Sequence, residues 1–98
     1  MIYRNRKLLA LAKEAPRCFC CNSANDGTVV AAHRNEGKGM GMKASDAGIA
    51  FLCGKCHYEI DNGKSMSRKE RRSAMDRAIS LTLQWMIEDG WLSYNENR

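Results

Sequence analysis

Proline occurs once in this 98-residue chain, at position 16, and histidine only twice, at 33 and 57. No low-complexity segment is present. No stretch approaches the roughly 18 consecutive apolar residues of a membrane span, so no membrane role is expected. The start, Met1 to Lys7, carries Arg4, Arg6 and Lys7 but leads into no apolar run of signal-peptide length. An odd count of five cysteines argues against a secreted disulfide scaffold, and an intracellular, cytoplasmic location with thiols reduced or metal-bound is expected. Aromatic residues make up 7%, and Trp85 and Trp91 read as core side chains rather than base-stacking platforms. Acidic residues are outnumbered 11 to 16 by basic ones, a formal charge of +5 that favours a polyanionic partner. The length fits a single domain, 1–98, whose modest core would profit from a metal staple.

What the chain does have is paired cysteines. Cys53 and Cys56 bracket Gly54 and Lys55 in L-C-G-K-C-H-Y-E-I-D, residues 52–61, a tight knuckle whose thiolates converge on one ion. Cys18 and Cys21 repeat that gap in R-C-F-C-C-N-S-A-N-D-G, residues 17–27, among turn formers. Two such pairs signal a four-cysteine zinc site. Cys20 can replace Cys21 with a tighter Cys-x-Cys bite; the equal spacing favours Cys18 and Cys21, with Cys20 a spare buried thiol. His57 follows the second knuckle, and Asp61 lies one helical turn further on the same face. Imidazole plus carboxylate can hold a second, catalytic metal, although the same spacing suits a solvated helix pair.

In chain order, Asn5 caps a first helix in which Leu8, Leu11, Ala12 and Ala15 recur at helical spacing until Pro16 stops it. Its outer face, with Arg4, Arg6 and Lys7, reads as solvated. Thr28 to Ala32 is β-prone and delivers His33 at the strand end. Residues 34–48 are rich in glycine and carry Arg34, Lys38 and Lys43; they form either a phosphate-contacting loop or a flexible hairpin loop. Ile49 to Leu52 makes a second strand that returns to the knuckle. Asn62 and Gly63 end the helix after it. Ser67 and Glu70 form a capping box for a longer helix, about 67–90, with Met75, Ile79, Thr82, Leu83 and Met86 as its apolar stripe. Arg68, Lys69, Arg71 and Arg72 crowd its first turns, where the helix dipole disfavours cations; they await an acidic partner or form a solvated run. Trp91, Leu92 and Tyr94 fold back onto the helix end.

A histidine closing one strand, a loop, a second strand and a histidine opening a helix, strapped by cysteine pairs, resembles the ββα-metal fold of HNH nucleases. The pattern A-H-R…G-x-G…K-x-x-D…C-x-x-C-H-x-x-I-D over about 17–62 is similar, more closely, to the small prophage-encoded YbcO-type nucleases, and more distantly to the RecA-dependent phage nuclease Ref. The resemblance implies an α+β fold: a zinc-stapled ββα core with an N-terminal helix and a longer C-terminal helix. By position it makes His33 the general base, Cys18, Cys21, Cys53 and Cys56 the structural zinc ligands, and His57 with Asp61 the holders of a catalytic Mg, Mn, Ni or Zn ion. Ala32 and Gly48 depart from the HNH pattern at a metal-ligand position and at the middle asparagine. Asp46 can orient His33 or approach the metal.

The function so implied is metal-dependent endonucleolytic hydrolysis of DNA in a bacterial host carrying phage or prophage, with a recombinase filament as a candidate partner. Neutral histidine, with an ordinary pKa of about 6.5, can take a proton from water near physiological pH. Arg34, Lys38, Lys43, Arg68 and Arg71 would contact the nucleic acid. The alternative is a non-catalytic zinc-knuckle nucleic-acid-binding module. A thiol redox protein is the third reading, and needs an exposed, acidified cysteine rather than four thiolates committed to metal.

Overall fold

Asn5 opens helix α1 (Arg6–Ala10) by accepting the Leu8 backbone N–H on its side-chain oxygen at 3.0 Å. The helix tightens into a 3₁₀ turn over Leu11–Glu14, and Ala15 leaves it in an extended conformation (φ −62°, ψ 134°), as a residue before proline must. The computed structural model of the chain describes residues 2–34, 44–93 and 95. Within them the architecture is α+β: one two-stranded sheet and three α-helices.

Strands β1 (Val30–His33) and β2 (Ile49–Leu52) pair antiparallel, with His33 opposite Ile49 and Val30 opposite Leu52. β1 begins two residues later than expected. Thr28 is spent on a turn instead, donating its backbone N–H and hydroxyl to Asp26 Oδ1 at 3.0 and 2.6 Å. All four residues of β2 are buried, matching its unbroken apolar reading. Its outer edge is closed on both backbone groups: Phe51 N–H donates to Thr82 Oγ1 at 3.0 Å, and its carbonyl accepts from Phe19 N–H at 3.0 Å. A lone hairpin this short is not stable in water, so these contacts and the helices behind it hold the sheet.

Helix α2 (Gly54–Asn62) follows β2 directly, which gives the β-β-α order. Gly63 does terminate it, but in an extended conformation (φ −64°, ψ 151°) rather than a left-handed cap. A glycine is needed there for space: a Cβ would collide with the Glu59 carbonyl.

Helix α3 (Arg68–Glu88) carries the expected capping box, with Glu70 N–H on Ser67 Oγ at 3.1 Å and Ser67 N–H on Glu70 Oε1 at 2.8 Å. Its buried stripe is Met75, Ala78, Thr82 and Met86. The expected stripe was therefore misplaced in part: Ile79 is half-buried and Leu83 is 47% exposed. The small side chain of Ala78 and the hydroxyl of Thr82 let the helix come close enough to β2 to serve Phe51, which bulkier residues would prevent. Gly90 (φ 83°) turns the chain back, and Trp91 and Leu92 N–H both reach the Met86 carbonyl. Trp85 packs against Phe19 and Phe51, ring centroids 6.0 Å away in each case, as a core residue should. Trp91 lies 6.3 Å from Trp85 but is 44% exposed, so it covers the core from outside rather than joining it. Tyr94 lies outside the described residues.

Candidate functional site

The knuckle at one end of the hairpin gathers four sulfurs. Cys18, Cys21, Cys53 and Cys56 place their Sγ atoms all within 4.8 Å of one another, and Cys21 and Cys53 are 3.9 Å apart. A tetrahedron with metal–sulfur bonds of about 2.3 Å has edges of about 3.8 Å, so the group fits a divalent ion. All five cysteines are free, and 3.9 Å is far from a disulfide bond. Local turns explain the convergence. Asn22 adopts a left-handed φ of 67° while its N–H bonds the Cys18 carbonyl at 3.0 Å, and Cys20 N–H points at Cys18 Sγ at 3.4 Å. On the other side Gly54 N–H donates to Thr28 Oγ1 at 3.3 Å, pinning the second knuckle to the turn that precedes β1.

The electrostatics of this cluster ask for a cation. Burial pushes the Cys56 thiol up, with the neighbouring thiols adding to it, and burial also pushes Cys53 up, in part offset by hydrogen bonds from Cys56. Cys21 is lowered to about 6 because the Ser23 hydroxyl, then its backbone N–H, can donate to the thiolate. Four thiolates crowded together repel one another unless an ion offsets their charge. Cys20 is half-buried and stands outside the group of four, its thiol raised by burial.

At the far end of β1, His33 Nε2 lies 2.7 Å from Asp46 Oδ1. Asp46 is buried, 3% exposed, and its carboxylate is fully engaged. Oδ2 accepts the Asn5 backbone N–H at 2.7 Å, and Arg4 Nη1 sits 3.2 Å from Oδ1 while also donating to the Ala44 carbonyl at 2.6 Å. The Asn5 backbone bond first, then the His33 contact, hold its carboxyl below the usual carboxylate range. Arg4 is thus an anchor, although its side chain stays 43% exposed. Its partner lies some forty residues away, so no local pattern could have found it.

On α2, His57 Nε2 and Asp61 Oδ2 are 3.0 Å apart, which is the expected one-turn pairing. That distance suits a direct hydrogen bond, and equally the edge between neighbouring ligands of an octahedral ion with bonds of about 2.1 Å. Among the described residues, the four cysteines make up the one group of three or more metal-type ligands.

Asp61 also lines a cleft of about 310 Å³ together with His33, Ile60, Met75 and three arginines of α3, Arg68, Arg71 and Arg72. Arg71 Nη1 donates to the Asp61 carbonyl at 3.3 Å, and its buried Nε has no hydrogen-bond partner. Spacing explains the trio: residues 68, 71 and 72 share one helix face, and Lys69 turns away. Arg72 was legible in that pattern although only Arg68 and Arg71 were expected to contact a ligand. Arg34, at the end of β1, pairs with Asp76 of α3 at 3.4 Å. Lys38 and Lys43 lie outside the described residues. Ala32 is buried, so its place on β1 offers no ligand beside His33. Gly48 accepts the Arg34 N–H at 2.8 Å on its carbonyl, which closes the hairpin mouth.

Fold and site together define a class: a small α+β protein with a four-cysteine cluster that could hold a metal ion, and a basic cleft carrying a histidine and a carboxylate. Within it, this chain belongs to the YbcO family, described as "Putative nuclease YbcO", whose model matches residues 15–90. No curated protein and no solved structure matches the chain.

Proposed function

We propose that the chain is a metal-dependent DNA endonuclease of the HNH type. The observation that carries this is the shared cleft: His33 from the hairpin, Asp61 from the helix after the knuckle and three arginines from α3 line one opening large enough for a phosphodiester. Family membership supports a nuclease and hence a nucleic-acid substrate.

In this reading zinc on Cys18, Cys21, Cys53 and Cys56 is structural, and holds the start of α2 against the hairpin. His57 and Asp61 hold a divalent ion, Mg, Mn, Ni or Zn, which when bound supplies Lewis-acid stabilisation of charge on the phosphate oxygens. His33 donates Nε2–H to Asp46, so its lone pair is on Nδ1, the atom that takes a proton from the attacking water. Arg68 and Arg71 bind the phosphates flanking the reaction, the unpartnered Nε of Arg71 being a donor waiting for an anion. Arg34, Lys38 and Lys43 extend the contact along the backbone. The setting is the cytoplasm of a bacterial host carrying phage or prophage, where a recombinase filament could present the DNA.

Two observations favour the alternative, a nucleic-acid-binding module without catalysis. His57 and Asp61 bind each other, and buried Ala32 supplies no further ligand. A metal titration of the zinc-loaded protein separates the two readings. The nuclease reading expects a second divalent ion per chain, whose affinity falls in His57→Ala and Asp61→Ala while zinc content stays the same. No second ion in the wild type favours the binding module.

A further inference from the structure

The residues that hold Asp46 come from the extreme N-terminal segment, outside the stretch 15–90 that the family model matches. Three contacts stitch that segment to 44–46. Asp46 N–H donates to the Tyr3 carbonyl at 2.9 Å, Asn5 N–H donates to Asp46 Oδ2 at 2.7 Å, and Arg4 Nη1 bridges the Ala44 carbonyl and Asp46 Oδ1. Asp46 in turn has His33 as its remaining partner.

We infer that residues 3–5 are a positioning part of the site: through Asp46 they fix which ring nitrogen of His33 carries the proton and where the other one points. The inference rests on the reading of His33 as the base. A neutral imidazole can donate from one nitrogen only, and a carboxylate that is already oriented decides which. Asp46 cannot orient itself, because a carboxylate in a turn can rotate; the Asn5 N–H fixes Oδ2 and thereby aims Oδ1 at His33. Arg4 shares Oδ1 with His33 and also holds the Ala44 carbonyl, so it restrains the backbone at residue 44 as well as the carboxylate. The other charged groups lining the cleft with His33 are Asp61, Arg68, Arg71 and Arg72.

The test uses the full-length, zinc-loaded chain and reads two quantities. The first is solvent exchange of the His33 Nε2–H proton by ¹⁵N-edited NMR, assigned with His57→Ala because the chain has only two histidines. The second is the split between kcat and KM on plasmid DNA. In Arg4→Gln, whose side chain is 43% exposed in the wild type, the proton should exchange about two- to fivefold faster, and kcat should fall by a similar factor at unchanged KM. Arg4→Lys, which can still reach both oxygens, should restore both readings. Asp46→Ala should lose the slow proton altogether and lower kcat by about 10- to 100-fold. An exchange rate unchanged in Arg4→Gln, or a loss confined to KM as for a phosphate contact, overturns the inference. If the wild type hydrolyses nothing, the NMR reading alone decides it, and it is the nuclease reading that falls.

Discussion

Asp46 is buried with a carboxylate that accepts from Asn5, His33 and Arg4, and those partners favour its ionised form. Its folded-state pKa is depressed, so the stability it contributes is present above the ordinary carboxylate value of about 3.9. It is lost as pH falls from there through the lower folded value. Asp46→Asn should therefore be less stable than wild type at pH 7, where the carboxylate is ionised and the metal site is intact. Urea midpoints of the two zinc-loaded proteins at pH 7 read this out; equal midpoints would mean the carboxylate's charge does nothing for the fold. Thr82 shows a second way a polar side chain is kept dry. It donates to the Ala78 carbonyl at 2.7 Å and accepts from Phe51 N–H, so each of its buried groups has a partner.

The elements were legible where their chemistry is local. Asn5, the Ser67–Glu70 box and the two cysteine knuckles each act within a few residues, and each stands where spacing placed it. Pairing of His57 with Asp61 was legible for the same reason. Met75, Thr82 and Met86 of α3 are buried where spacing placed them; what sequence could not supply was Ala78 as the closest approach of α3 to the sheet, or the N-terminal grip on Asp46. Both depend on groups far apart in the chain: Thr82 on Phe51, and Arg4 and Asn5 on Asp46. Apolarity favoured Ile79 and Leu83 beside Thr82, whereas the close approach of α3 to β2 selected Ala78 beside Thr82. The phase can be checked by substitution. Ala78→Leu forces extra volume against β2 and should cost about 1–3 kcal/mol, while Leu83→Ala should stay within about 0.5 kcal/mol of wild type. Denaturant unfolding of the two variants decides, and equal losses would put the stripe back where hydropathy had it.

For the molecule as a whole, a two-stranded sheet with one long helix and two short ones leaves a modest core, and the cysteine cluster ties the Cys18 turn, β2 and α2 together at one point. Binding of a metal there adds directly to folding free energy, and becomes weaker in acid as the thiols regain protons. Stripping the ion with a chelator at pH 7 should abolish cooperative thermal unfolding, and adding zinc should restore it. A chelated, metal-free protein that melts as before would show that the cluster is not a staple.

The catalytic reading depends on His33 and on the cleft it shares with Asp61 and the arginines. Conversion of supercoiled plasmid to nicked or linear DNA, with Mg, Mn, Ni or Zn added in turn, tests it. The wild type should cleave with at least one of these ions. His33→Ala should keep its zinc content and DNA affinity but lose hydrolysis by about 10²- to 10⁴-fold, the usual contribution of a general base. A wild type that binds DNA yet leaves the plasmid intact with every ion, and a His33→Ala variant that behaves identically, would contradict the account and leave a binding module in its place.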